Sequence, residues 1–124
     1  MVVIGAGFAG LKLVRSLQGS PFQIILIDRN NFHQFQPLFY QVATAGLEPS
    51  AISFPLRKIF QKRKNLHIRL TEVVQIDTEN KVIKTLLGDL RYDVLVLATG
   101  ATTNFFGMQQ IKDLHKSVVA DITT

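Results

Sequence analysis

The strongest constraint in this chain is the spacing of three glycines near its start. Gly5, Gly7 and Gly10 directly follow the apolar run Val2–Ile4 and open a segment with helical periodicity. A buried strand that turns at once into a helix needs glycine where the backbone bends sharply and where helix and strand approach closely. The pattern therefore predicts a strand, a glycine-rich turn and a helix as the first unit of the fold.

An acidic residue that follows a second apolar run indicates the kind of ligand that this turn could bind. Residues 22–27 are almost continuously apolar, which favours a strand buried on both faces, and Asp28 follows them. A carboxylate there can accept hydrogen bonds from ribose hydroxyls, while the helix N-terminus offers N–H groups to a pyrophosphate. This order of elements predicts dinucleotide binding rather than a chance glycine-rich turn.

The remaining pattern predicts an open α/β sheet with an antiparallel β-meander inserted before the last parallel strand. We expect helices over residues 8–18 and 53–64 (the second capped by Ser53), a strand over 66–76, a hairpin of 81–87 and 90–92 turning at Gly88 and Asp89, and a strand over 93–98. Since ligands bind at the carboxyl ends of such strands, Asp28, Thr99 and Gly100 are expected beside the glycine turn.

Composition narrows the possible chemistry. The chain has 124 residues, of which 47% are hydrophobic and 19% charged, and it has no cysteine. These values are typical of a globular fold, and they exclude a disulfide framework, a cysteine metal site and a thiol relay. We expect no metal site, and no apolar run is long enough to span a bilayer.

Basic residues are concentrated in one segment of a chain whose net charge is +5. The cluster comprises Arg57, Lys58, Lys62, Arg63 and Lys64. It is either a solvated helix end or a surface that faces anionic lipid or an acidic partner. Nucleic-acid binding is not expected, because no recognition motif accompanies the charge.

Several further segments resemble a known family. Residues 28–33 read Asp-Arg-Asn-Asn-Phe-His, residues 36–46 read Gln-Pro-Leu-Phe-Tyr-Gln-Val-Ala-Thr-Ala-Gly, and residues 94–100 read Val-Leu-Val-Leu-Ala-Thr-Gly. With the glycine turn and residues 103–107, they resemble the FAD-binding start of type II NADH dehydrogenases. These are non-pumping NADH:quinone oxidoreductases of the pyridine nucleotide-disulfide oxidoreductase superfamily. One departure is Val14, where the superfamily usually has a small residue.

The resemblance implies a Rossmann-like FAD-binding domain that is incomplete. Residues 1–124 would form the first FAD-binding segment, with the NADH-binding domain and the C-terminal membrane-docking part absent. In the full-length protein, electrons would pass from NADH through FAD to a quinone. That protein is expected to be peripheral at the cytoplasmic face of the inner membrane, with a homodimer left open. The fragment alone is expected to be soluble and inactive.

Site residues carry over from the family position by position. The cofactor contacts that the resemblance implies are those of Gly5, Gly7, Phe8, Ala9, Gly10, Asp28, Arg29, Thr44, Val73, Ala98, Thr99 and Gly100. Tyr40 and Gln41 are expected to line the quinone site, and no side chain is assigned as catalytic because the flavin carries the chemistry. Packing or solvation alone would also explain Arg29, Thr44 and Tyr40, and His33 is expected to be an ordinary loop histidine.

Two alternatives remain open. One is another cysteine-free reductase that uses FAD and NAD, of the ferredoxin or rubredoxin reductase type. The other is a non-catalytic module that binds a nucleotide. The aromatic residues between 35 and 46 favour an apolar quinone over a protein acceptor. Sulfide:quinone oxidoreductases use cysteines, some of them later in the chain, so the missing cysteines disfavour them without excluding them.

Overall fold

The structure is a computed structural model that describes residues 1–34 and 53–101. The chain divides into two compact units, Met1–His33 with Pro55–Gly100 and Gln34–Phe54 with Ala101–Thr124. The first unit holds both described helices, the parallel sheet and the meander, so the description below concerns mainly this unit.

Eleven elements lie within the described residues. In chain order they are β1 (Val2–Ile4), α1 (Phe8–Ser16), β2 (Ile24–Asp28), β3 (Phe32–Gln34), β4 (Ser53–Pro55), α2 (Leu56–Ile59), β5 (Leu66–Leu70), β6 (Val73–Asp77), β7 (Val82–Thr85), β8 (Gly88–Arg91) and β9 (Leu95–Leu97). A parallel sheet has the order β5-β2-β1-β9, an antiparallel sheet has the order β6-β7-β8, and β3 pairs with β4. The predicted α/β sheet with an inserted meander is confirmed.

The central strand β1 is buried on both faces because its side chains alternate between two hydrophobic clusters. Val3 belongs to the cluster of α1 and α2, which contains Leu11 and Val14. Val2 and Ile4 belong to the cluster that includes meander residues. This two-sided packing explains why the strand sequence is apolar at every position.

Helix α1 has the predicted amphipathic character. Leu11 and Val14 are buried, whereas Lys12 and Arg15 are exposed. The helix ends at Ser16 rather than at residue 18, and β2 begins at residue 24 rather than at 22. Val14 is fully buried, so the core accommodates this branched side chain where the superfamily usually has a smaller one.

The helix predicted to start at Ser53 is wrong in its start and its length. Ser53 lies in β4, and α2 has only four residues, with Pro55 at its N-cap position. The amide of Leu56 donates to the carbonyl of Asn31 at 2.8 Å. Pairing of β4 with β3 keeps this segment extended, and a partner some twenty residues away leaves no local signature in the sequence.

The single strand predicted over residues 66–76 is also wrong, because it consists of two strands in different sheets. β5 pairs with β2 up to Leu70. The amide of Thr71 then donates to the carbonyl of Asp28 at 3.0 Å. The chain resumes as β6, which pairs with β7 and carries an irregularity between Val73 and Gln75.

The hairpin of the meander turns two residues earlier than predicted. Leu86 and Leu87 connect β7 to β8, and Gly88 already belongs to β8. The Thr85 hydroxyl donates to the carbonyl of Gly88 at 2.7 Å and accepts from the amide of Leu87 at 3.2 Å. The apolar pair Leu86-Leu87 concealed this turn, because turns are normally recognised by their polar residues and glycines.

Candidate functional site

The carboxyl ends of three parallel strands meet at one edge of the sheet. Backbone hydrogen bonds of 2.8 Å join the amide of Gly5 to the carbonyl of Ile27 and the amide of Ala98 to the carbonyl of Ile4. The glycine turn, Asp28 and the segment after β9 are therefore neighbours, as the sequence predicted. Because β2 and β9 flank β1 on opposite sides, this edge is the topological switch point where open α/β sheets bind ligands.

Two glycines of the turn are required by the fold itself. Gly5 has φ +103°, and a β-carbon there would collide with the carbonyl group of Ala98. A β-carbon on Gly10 would collide with the carbonyl oxygen of Gly5. Because neither glycine has a side chain, α1 can approach β1 and β9 closely. Both glycines therefore serve the packing of the fold.

Gly7 differs from both of these glycines. It is the N-cap of α1 with φ −74° and ψ −167°, a conformation that any residue can adopt. A β-carbon at Gly7 would meet no described atom within 4 Å. The described part of the fold does not require glycine here, and no described atom occupies the space that a side chain at this position would take.

The start of α1 is suited to an anion. Its first turn, which lies wholly within the described residues, contains no acidic residue, and Gly7 supplies no side-chain cap. Gly7, Phe8 and Ala9 are all exposed, with Phe8 49% accessible. Because the helix dipole is positive at this end, and Gly7 and Ala9 lie in the exposed start of the helix, a pyrophosphate would be bound favourably there.

Asp28 joins the glycine turn to the end of β2. Its Oδ2 atom accepts a hydrogen bond from the amide of Ala6, and its Oδ1 atom accepts one from the amide of Asn30, each at 2.7 Å. Each carboxylate oxygen keeps a further lone pair that can accept from a ribose hydroxyl. Sequence reasoning missed the structural role of this carboxylate, although an acid two residues before Asn30 is a pattern that permits such a turn.

The other predicted contacts within the described residues surround the same edge. Ala98 is half-buried, whereas Thr99 and Gly100 are exposed, and Gly100 has φ +70°. Arg29 is exposed directly after Asp28. Val73 is half-buried at the start of β6, which the hydrogen bond between Thr71 and Asp28 brings towards this edge.

For four residues named in the sequence analysis, no side-chain geometry is described. Tyr40, Gln41 and Thr44 lie outside the described residues, and His33 is described only through its place in β3. Their expected roles stay predictions, as do the cofactor contacts expected of the other site residues. Within residues 1–34 and 53–101, no group of three His, Cys, Asp or Glu side chains is arranged to hold a metal ion.

A glycine turn, an open helix N-terminus and a carboxylate at the switch point of a parallel sheet define a dinucleotide-binding α/β fold. Residues 1–124 match the model of the pyridine nucleotide-disulphide oxidoreductase family. The chain belongs to this family. In the described part of the chain, no helix has the length and apolar character needed to cross a membrane.

Curated relatives bear out the resemblance seen in the sequence. A type II NADH:quinone oxidoreductase of Mycobacterium tuberculosis is 39% identical over 111 residues, covering 86% of this chain and 24% of the relative. One from Staphylococcus aureus is 29% identical over 128 residues, covering 100% of this chain and 31% of the relative. The chain thus spans 24% and 31% of the length of these two relatives.

Solved structures of enzymes that are named for different electron acceptors share this fold. The sulfide:quinone oxidoreductase of Aquifex aeolicus has a TM-score of 0.77 and 30% identity, covering 84% of this chain and 25% of that one. A ferredoxin reductase of Rhodopseudomonas palustris has a TM-score of 0.68 and 31% identity, covering 83% and 27%. The fold alone therefore does not select the acceptor.

Proposed function

We propose that this chain is the first FAD-binding segment of an NADH:quinone oxidoreductase. The observation that carries the proposal is the space beside Gly7 at the positive end of α1, where no described atom lies within 4 Å of the position of a β-carbon. A cofactor with a pyrophosphate fits that space, and the carboxylate of Asp28 suits the ribose beside it. The identity of 39% to a type II NADH:quinone oxidoreductase supports the choice of reaction.

Each residue at the sheet edge has a distinct task in this proposal. The amides of Gly7, Ala9 and Gly10 bind the pyrophosphate, and Asp28 accepts hydrogen bonds from the adenosine ribose. Phe8 covers the turn, and Gly5 keeps the backbone close enough to β9. The helix amides are fixed by the fold, so little ordering is needed when the phosphates bind.

The remaining contacts complete the cradle. The backbone of Val73 meets the adenine edge, Arg29 lies near adenine or phosphate, and the segment from Ala98 to Gly100 passes close to the cofactor. Thr44 contacts the flavin. Exposed Thr99 and Gly100 leave the sheet edge accessible to a ligand.

Bound FAD supplies the redox chemistry, taking hydride from NADH and giving two electrons to a quinone. The chain's part is to hold and orient the cofactor, and Tyr40 and Gln41 line the quinone site. The longer protein docks peripherally on the cytoplasmic face of the inner membrane, with a homodimer as one possible assembly. The 124-residue chain alone does not turn over NADH.

An FAD titration followed by flavin fluorescence tests the binding site. We expect Gly7→Val and Asp28→Ala to weaken binding by about tenfold or more, since each removes a direct contact or fills the phosphate space. Asp89→Ala, an exposed carboxylate on β8, serves as the matched control and should bind like the unchanged chain. Equal binding curves for all four proteins would show that the site is wrongly assigned.

The acceptor requires a separate experiment, since similarity to the ferredoxin reductase also favours a protein acceptor. The longer protein is purified, its bound nucleotide is identified, and NADH oxidation is followed with a soluble quinone or with ferredoxin. We expect a yellow flavoprotein that is faster with quinone. Preference for ferredoxin would replace the quinone assignment, and bound NAD without flavin would favour a non-catalytic module.

A further inference from the structure

A concavity lies at the C-terminal end of α1, at the opposite end of the helix from the glycine turn. This basic cleft has a volume of about 440 Å³. Its polar lining consists of Arg15, Gln18, Lys58, Gln61, Lys62 and Arg63. Ile59 and Phe60 supply its apolar lining, so the cleft combines cations and amides around an apolar floor.

Arg63 is the structural member of the cleft. Its guanidinium donates to the carbonyl of Val14 and, at 3.4 Å, to the carbonyl of Leu17. It also lies 6.0 Å from the centre of the Phe60 ring and donates to Oδ1 of Asn65 at 3.3 Å. These contacts satisfy the carbonyl of Val14 in the last turn of α1 and that of its C-cap residue Leu17, and they fix one wall of the cleft.

Three cations remain for a ligand. Arg15, Lys58 and Lys62 are exposed, and the lining contains no carboxylate to neutralise them. Like charges around one concavity repel each other, so a bound anion would relieve an unfavourable arrangement. Gln18 and Gln61 add amide donors to the same space.

We propose that the basic cleft binds a phosphate group, carried either by a soluble compound or by a lipid headgroup. A phosphate offers several acceptor oxygens and up to two negative charges, which matches three cations and two amides better than a single carboxylate does. The volume of about 440 Å³ is large enough for such a group. The proposal goes beyond FAD binding, because the cleft and the glycine turn lie at opposite ends of α1.

The test uses two double variants that remove the same charge. Lys58→Gln with Lys62→Gln removes two cations of the cleft. Arg57→Gln with Lys64→Gln removes two exposed cations of the same segment that do not line it. Both variants keep the glycine turn, so phosphate binding at α1's N-terminus contributes equally to both, and failure of FAD binding would leave the comparison intact.

Two measurements distinguish the source of the phosphate. Calorimetry with inorganic pyrophosphate reports a soluble ligand, and co-sedimentation with phosphatidylcholine vesicles, with or without phosphatidylglycerol, reports a headgroup. We expect the cleft variant to bind about tenfold more weakly than the control variant in at least one of them. If the cleft variant loses only pyrophosphate binding, the ligand is a soluble phosphate compound. If it loses only binding to phosphatidylglycerol vesicles, the ligand is a lipid headgroup. Equal binding by the two variants in both measurements would overturn the proposal.

Discussion

Oδ2 of Asp28 accepts a 2.7 Å hydrogen bond from the amide of Ala6, which precedes it by 22 positions in the chain. Oδ1 of the same carboxylate accepts from the amide of Asn30, also at 2.7 Å. The carboxylate is thus held in place by the backbone on both oxygens. A side chain proposed to face the ribose therefore also holds the glycine turn against the end of β2.

Replacing Asp28 should reduce both stability and binding. In Asp28→Ala the amides of Ala6 and Asn30 lose their acceptors, so we expect the free energy of unfolding to fall by about 1–3 kcal/mol. Urea denaturation measures this change. Asp89→Ala serves as the control because Asp89 is exposed. An Asp28→Ala midpoint equal to the control's would contradict the structural role.

The turn glycines should separate stability from ligand binding. Gly10→Ala forces a β-carbon against the carbonyl of Gly5, so we expect a loss of about 2–4 kcal/mol or failure to fold. Gly7→Ala meets no described atom, and we expect a loss of no more than about 1 kcal/mol, the cost of alanine at an N-cap position. Thermal unfolding of the two variants provides the comparison. Equal destabilisation would show that Gly7 is also required by the fold.

Much of this site was predictable because its signals are local. Three glycines and Asp28 follow directly from strand and helix positions that the apolar pattern predicts. The sequence did not show that Gly10 and Gly7 serve different purposes. Gly10 is required because a β-carbon there would collide with the carbonyl of Gly5, five residues earlier in the chain. The spacing of the glycines indicates the turn, whereas only the three-dimensional packing shows which of them could be replaced by a larger residue.

The errors concern elements whose partners are distant in the chain. Ser53 has the character of a helix cap, yet β4 pairs with β3, a partner that local sequence does not reveal. Thr71 interrupts a continuous strand pattern because its amide bonds to the carbonyl of Asp28. In both cases a tertiary hydrogen bond or strand pairing outweighs local propensity.

Arg63 should matter for its geometry more than for its charge. Arg63→Lys keeps the cation but loses the planar group that reaches the carbonyls of Val14 and Leu17, so we expect a loss of about 1–2 kcal/mol. Arg57→Lys makes the same chemical change at an exposed position and is the matched control. Chemical denaturation that gives the same midpoint for both variants would contradict this role.

The turn after β6 should show a pH dependence that originates at Asp77. Hydrogen bonds from the side chain and amide of Asn80 lower the pKa of the Asp77 carboxyl below its ordinary value of 3.8. The ionised Asp77 carboxylate therefore contributes its full stabilisation of the folded chain above the unfolded-state pKa. This contribution is lost as the pH falls through the lower folded-state pKa. We expect Asp77→Asn to lower the melting temperature at pH 7 and to differ less from the unchanged chain at pH 3. A difference that is constant with pH would contradict this assignment.

The strand order β5-β2-β1-β9 also determines when the nucleotide crevice can form. β1, β2 and β5 precede the meander in the chain, whereas the pairing of Val2 with Leu95 of β9 can form only after the whole meander has been synthesised. Within the described residues, Ala98, Thr99 and Gly100 are thus the last part of this sheet edge to be placed. On the proposed function, the FAD site is incomplete until β9 pairs with β1, so a slow step in folding the meander would delay cofactor binding without altering any residue proposed to touch FAD.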